Sequence, residues 1–505
     1  MPAWHDPCHR PLCLNPMSAY PLLLTLANEI ALLESTAATL GWDQETYMPP
    51  KALEHRAQQM GYLGGKGHAL FTSKKFRLLL DKAETEELPP IPAANVREWR
   101  RLINRAVRLS QKLVEEFSIA SSRAKAAWVE ARRHSDFAQF APHLDKLLQL
   151  TRRKSEKWGY ATEPYDALLD EFEPGAKAVQ ISTLFDSLRP QLSALAREAV
   201  ARGTQIPADA LEGDYPIALQ QQLNSEVAAS IGFDFEGGRI DTTAHPFCTK
   251  LGPHDQRLTT RYDKTDFTSS LFGILHEAGH GLYEQGLPAD SYGLPAGTAV
   301  SLGIHESQSR LWENHVGRSR PFWERWLPRA KEIFPGLKLS LEEFLRVLYR
   351  ADFSFIRVEA DEATYDLHIL LRFMLERRLL NQELKVKDLP KAWNDQFEDL
   401  FGLTPPDDAR GCLQDIHWSM GALGYFPTYT LGNLNAAQLY HAAQKVPAIS
   451  QACAKADYAP LLDWLRKHVH SKGSSVTSND LMAAATGATT DPSWHLGHLR
   501  ARFLG

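Results

Sequence analysis

Apolar residues recur along this chain at intervals of three and four, the period of a helix that buries one face. From Val96 the series Val96, Trp99, Ile103, Val107, Val114 and Phe117 keeps that register, while arginines, glutamates and Lys112 fill much of the remainder. Similar patterns run through residues 144–150, 181–200 and 344–380. They predict helices over most of the sequence. No pattern repeats at a fixed length, which argues against a helical solenoid.

One stretch, about 232 to 268, breaks this rhythm. Gly237 and Gly238 interrupt the helical pattern. Thr242, Thr243, Phe247, Thr249, Leu258, Thr259, Thr260 and Tyr262 then supply β-branched and aromatic residues around a Gly252-Pro253 turn. A small sheet of one or two hairpins is expected there. The proline-rich run 88–92 and the Pro/Asp cluster 404–408 read as loops, too short for flexible interdomain linkers. The expected fold is mainly α: one large helical body, undivided or in two lobes around a cleft.

Composition narrows the partners. Length alone suggests about three domains at roughly 150 residues each, but the absence of linkers favours a single domain over 17–505. Hydrophobic residues make up 44% and charged residues 23%, ordinary for a globular protein. With 56 basic and 61 acidic side chains the net charge is −5, which gives no electrostatic footing for nucleic acid. The five cysteines, at 8, 13, 248, 412 and 453, form no disulfide framework and read as reduced thiols of a cytoplasmic chain. No apolar run approaches a membrane span, and Glu29 follows the run at 21–27 too closely for a signal peptide. Residues 1–16 carry little pattern and read as a disordered leader, or as upstream of the true start, before a helix opening at Met17.

The sharpest chemical signal is His276-Glu277-Ala278-Gly279-His280. Two histidines four apart share one helix face and can hold one ion, while Glu277 sits about 100° round the helix, placed to contact water rather than metal. Zinc takes about four ligands and a catalytic site leaves one position for water, so a third protein ligand is required. Glu306, in His305-Glu306-Ser307-Gln308, is the candidate. Glu313 shares its helix face and is a candidate to support the ligands. The plainer readings are a solvated helix face for the histidines and a dipole-stabilised helix N-terminal carboxylate for Glu306.

These residues carry a resemblance. An HExxH motif with a later glutamate is similar to gluzincin metallopeptidases, and the chain more narrowly resembles the carboxypeptidase Taq family of metallocarboxypeptidases. Its signatures occur in order: His245-Pro246-Phe247, Asp255-Gln256-Arg257-Leu258-Thr259, the 276–280 motif, His305-Glu306-Ser307-Gln308, the stretch Ile356 to Asp361, and the stretch Gly411 to Trp418. Trp42-Asp43-Gln44-Glu45-Thr46, Met48-Pro49 and the run Gly424 to Tyr429 extend the likeness over about 17–505. The resemblance implies a neurolysin-like helical fold with a deep groove, a divalent metal and a cytoplasmic homodimer. Zinc is the expected ion, with cobalt able to substitute. The implied reaction is removal of single residues from peptides with a free C-terminus.

Chemistry assigns roles beside that likeness. His276, His280 and Glu306 are the expected metal ligands and Glu277 the general base. His417, Tyr425 and Tyr429 are candidates to stabilise the oxyanion, against groove-lining aromatics as the alternative. A C-terminal carboxylate calls for an arginine fork, and Arg357 is favoured over Arg257. Each competes with a structural ion pair: Arg357 with Asp361 or Glu359, Arg257 with Asp255. The strand holding Arg257 is also a candidate to pair with an extended substrate. His245 either lines the cleft or braces the sheet. Gln414 and Asp415 are candidates to orient a ligand histidine, with a helix cap equally open for Asp415. Two other readings stand beside this one: a helical-groove endopeptidase or dipeptidyl carboxypeptidase with the same zinc site, and a non-catalytic scaffold.

Overall fold

The structure, a computed structural model, describes residues 18–203, 205–207, 209–243 and 245–505. The expected leader at 1–16, Met17, Cys8 and Cys13 lie outside the described residues. Twenty α-helices and three short strands make up the described chain, and the mainly helical expectation is met. Among the described residues no helix is long and apolar enough to cross a membrane.

The apolar stripe from Val96 belongs to two helices. Pro90–Arg108 starts on a proline already inside the stretch expected as a loop, and Gln111–His134 begins anew after Ser110, whose hydroxyl accepts from Leu113 N. Val96, Trp99 and Ile103 are buried, but Val107 and Val114 are 45% and 49% exposed. A side-chain cap can therefore split a pattern that periodicity alone joins. The 344–380 pattern is likewise two helices, Leu341–Leu348 and Tyr365–Leu380, and the segment between them carries Arg357 on a short 3-10 turn.

The sheet holds one hairpin rather than two. Strands β1 (Gly238–Thr242), β2 (Cys248–Gly252) and β3 (Asp255–Thr260) run in the order β1-β3-β2. β2 and β3 form the expected antiparallel hairpin, and β1 pairs parallel to β3. Both sides of β3 are thus occupied, so a substrate strand cannot add beside Arg257; the free edges belong to β1 and β2. The His245-Pro246-Phe247 signature takes part in the hairpin: Thr259 N donates to Phe247 O at 2.9 Å, and Phe247 N donates to the Thr259 hydroxyl at 2.8 Å.

Three apolar clusters hold the body together. One gathers helices of 124–201 with Tyr365–Leu380 and the C-terminal helix Ser493–Phe503. A second surrounds helix Phe267–Gly286 through Leu271, Ile274, Leu275, Ala278 and Leu282. A third packs Tyr20–Thr46 against Pro90–Arg108. Helix Pro427–Gln444 joins the first two, giving Leu434 to one and Ala436 and Leu439 to the other. The site lies along that seam.

Candidate metal centre and active site

Helix Phe267–Gly286 begins on Asp266, whose carboxylate accepts from Thr268 N, and its apolar face anchors it in the second cluster. His276, Glu277 and His280 ride on it. Helix Leu302–Arg310 starts on Ser301, which accepts from Ile304 N at 3.1 Å, and carries Glu306 one turn on. The two helices approach closely because of Gly279: a Cβ there would lie 2.6 Å from Gln308 O and Ser309 Cα. Gly432, on Pro427–Gln444, permits the same closeness against the Glu306 side chain. Gly279→Ala should therefore destabilise the fold by about 1–3 kcal/mol through overpacking and weaken ion binding, checked by denaturant melts beside metal titration.

The structure brings His276, His280 and Glu306 together, with one ligand atom from each inside 4.8 Å of the others. Glu306 Oε2 lies 3.8 Å from His276 Nε2 and 3.5 Å from His280 Nε2. A tetrahedral ion with bonds near 2.1 Å spaces its donors by roughly 3.4 Å, so the cluster suits a small divalent cation. The far nitrogens are engaged elsewhere. His276 Nδ1 meets Glu313 Oε2 at 2.9 Å, and His280 Nδ1 faces His305 O at 3.2 Å. Each contact leaves Nε2 as the atom turned to the common centre. Glu313 reaches His276 from a widened π turn, Leu311–Val316, a local irregularity often found where a helix serves a site.

Charge is arranged around the same point. Burial works against ionised Glu306, yet Arg310, donating Nε to Oε1 at 2.8 Å, and the two histidines hold it well below the carboxylate range. Burial likewise opposes a charged Glu313, and Arg310 and His276 bring it down to about 2. Glu277 is only 7% exposed, and burial pushes its carboxyl up to about 7. His305 stacks on His280 at 4.4 Å and meets Glu284 at 3.0 Å, while Lys250 pairs with Glu284 at 3.2 Å.

A second wall comes from the later signatures. His417 packs against Tyr425 and Tyr429 at 5.3 and 6.4 Å between ring centroids, and the tyrosines lie 5.4 Å apart. Burial lowers His417 to about 4, so its imidazole is neutral at pH 7. The Arg357 guanidinium sits 5.1 Å above the Tyr429 ring. Tyr365 links this wall to the His276–His280–Glu306 cluster: it accepts from Arg357 Nη1 at 2.9 Å and lies under the Arg310 guanidinium at 4.5 Å.

Several expectations change here. Arg357, 5% exposed, pairs with Asp415, not with Asp361 or Glu359, donating Nη2 at 2.8 Å and Nε at 3.1 Å. Asp415 orients no ligand histidine and caps no helix; it is held between Arg357 and Arg372. Gln414 accepts from Arg357 N and Arg372 Nη2. Arg257 takes the alternative reading: it chelates Asp255 at 2.8 Å and lies 4.2 Å over Trp42, from the first helix. His245 is exposed between β1 and β2 and joins neither wall. Arg310, Tyr365 and Arg372 escape sequence reading because each sits in a helical pattern that packing alone explains. A cavity of about 730 Å³ flanks helix Leu302–Arg310 at Ser301 and Leu302; Phe172 on its wall meets Tyr425 at 5.1 Å.

Residues 22–503 match the carboxypeptidase Taq (M32) metallopeptidase family. The chain belongs to that family. It is 42% identical to thermostable carboxypeptidase 1 of Thermus thermophilus, covering 97% of this chain and 99% of that protein. Against carboxypeptidase 1 of Bacillus subtilis the identity is 35%, covering 95% and 96%. The crystal structure of the M32 carboxypeptidase from Deinococcus radiodurans R1 superposes with a TM-score of 0.93 at 39% identity, over 96% of this chain and 98% of that one. A Pyrococcus furiosus carboxypeptidase structure gives 0.93 at 37%, over 97% and 99%. The protein is thus a metallocarboxypeptidase of the carboxypeptidase Taq family: a hydrolase that acts on peptides and uses a divalent metal.

Proposed function

We propose that this carboxypeptidase Taq member releases single C-terminal residues from peptides of broad sequence, with His276, His280 and Glu306 as ligands of one zinc ion. The observation that carries the reading is the convergence of two Nε2 atoms and one carboxylate oxygen, with both Nδ1 atoms already engaged. Nitrogen and oxygen donors of this kind also accept cobalt. When bound, the ion supplies Lewis acidity that polarises the scissile carbonyl and eases ionisation of a water.

The chain's own groups supply the rest. Glu277 takes the proton of the attacking water on its carboxylate and returns it to the leaving amine nitrogen, a task suited to a carboxyl that burial brings near neutrality. His417, Tyr425 and Tyr429 offer N–H and O–H donors to the oxyanion of the tetrahedral intermediate. Arg357 keeps two of its five N–H groups beyond the three given to Asp415 and Tyr365, enough to take the substrate carboxylate as a fork. Asp415 and Tyr365 fix that fork's plane. Arg257 supports the sheet against Trp42 and serves the substrate only indirectly. The chain works as one peptidase domain, in a cytoplasmic homodimer on the family resemblance.

The test is a matched pair of peptides, one with a free C-terminus and one amidated, incubated with the zinc-loaded enzyme and followed by mass spectrometry. A ladder of single-residue losses from the free acid alone is the expected result; internal cuts in both would replace the reading with an endopeptidase. A second expectation concerns selectivity. The wild-type enzyme should be inhibited by a free-acid dipeptide far more strongly than by its amide. Arg357→Ala should erase that preference, on the order of tenfold to a hundredfold for a charge-assisted pair, as competition assays would read.

A further inference from the structure

We propose that Glu376, outside every signature stretch, is a positioning residue that holds the loop carrying His417 and Tyr425 in its reactive shape; this rests on those residues serving the oxyanion. Glu376 lies on helix Tyr365–Leu380 and is fully buried. Its Oε1 accepts from Trp418 Nε1 at 2.8 Å, and its Oε2 from Gly424 N at 3.0 Å and the Tyr165 hydroxyl at 2.7 Å. One carboxylate thus grips the residue after His417 and the residue before Tyr425.

One turn earlier on the same helix face, Arg372 grips the preceding stretch. It donates Nε to Asp415 Oδ2 at 2.6 Å and Nη2 to Gln414 Oε1 at 2.7 Å. Arg372 and Glu376 therefore bracket residues 414 to 424. The loop has little regular structure of its own beyond the 3-10 turn His417–Met420. It bends through Gly421 and Gly424, at φ of 72° and 90°, and a Cβ at Gly424 would meet Leu168 Cβ at 2.9 Å. A loop bent this way takes its shape from what holds it.

Only the carboxylate satisfies all three donors. It accepts at both oxygens, whereas an amide would set an N–H₂ group against either Trp418 Nε1 or the Gly424 and Tyr165 donors. Burial raises the Glu376 carboxyl to about 7, against the pull of Tyr165, Gly424 and Trp418. The group is thus buried at a cost, in a place where its geometry is used.

The experiment compares Glu376→Gln and Trp418→Phe with the wild-type zinc enzyme. It measures kcat and KM on a free-acid peptide, metal content, and binding of a phosphinic peptide and of a product amino acid. For Glu376→Gln, kcat should fall about tenfold to a hundredfold, the range for misplaced catalytic groups. KM, metal content and product affinity should hold, while phosphinic-peptide affinity falls with kcat. Trp418→Phe should show a smaller loss of the same kind, and the double variant should be no worse than Glu376→Gln alone. Wild-type kcat in Glu376→Gln overturns the proposal, as does a parallel loss of kcat, product binding and metal. If Glu376→Gln does not fold, Trp418→Phe decides: a selective loss of kcat supports the proposal and none overturns it. His417→Ala and Tyr425→Phe test the reading beneath. Full activity in both removes the oxyanion role and this proposal with it; losses there with none in Glu376→Gln remove only the role of Glu376.

Discussion

Glu277→Gln should lose about a thousandfold or more in kcat, within the range that a positioned general base contributes, and should keep its full complement of metal. The amide has the size of the carboxylate but no basic oxygen, so it fills the same buried space and cannot take a proton from water. The proposed ligands His276, His280 and Glu306 converge without it, and the contacts that turn the two imidazoles come from Glu313 and the His305 carbonyl. Kinetics on a free-acid peptide and metal stoichiometry should be measured on one preparation. Loss of the ion together with activity would place Glu277 among the ligands. Retained activity would end its role as the base.

What could be read from the sequence was what is local in the sequence. Two histidines and a glutamate within five residues state their geometry outright, because a helix maps spacing onto direction. Glu306 was legible for a similar reason: a short signature fixes its neighbours, and a second helix brings the carboxylate to the first. Arg357 shows where that logic stops. Its partner Asp415 lies 58 residues on, while Glu359 and Asp361, near in sequence, point elsewhere; Asp361 instead accepts from the backbone of Asp352 and Ala363. The sheet fails in the same way. Strand composition predicted the β2–β3 hairpin, but parallel pairing of β1 with β3 depends on a register no local pattern encodes. Arg372 and Glu376 were hidden because their helix is buried nearly all round, so its pattern singles out no face. Buried charges in such a helix become visible only with their partners.

Glu306 and Glu313 offer the sharpest separation between holding an ion and orienting what holds it. Glu306 is buried and Glu313 nearly so, and both are held ionised against desolvation with help from Arg310. They differ in the atoms they face: Glu306 points at the two Nε2 atoms, and Glu313 at His276 Nδ1. Glu306→Gln removes the one anionic donor of the proposed triad and weakens the short contact of Arg310, whose remaining anionic partner is Glu313 at 3.3 Å, so two neutral imidazoles must hold a dication beside a less compensated guanidinium. The zinc affinity should collapse and activity fall below about one per cent, with only partial rescue by excess zinc. Glu313→Gln leaves all three donors in place and loosens one ring. Its cost should be about tenfold to a hundredfold in metal affinity, and saturating zinc should restore most of kcat. Competition with a chelator of known affinity reads both variants on one scale. Equal losses would mean that Glu306 also acts only by orienting a histidine, and that the third ligand must be sought elsewhere.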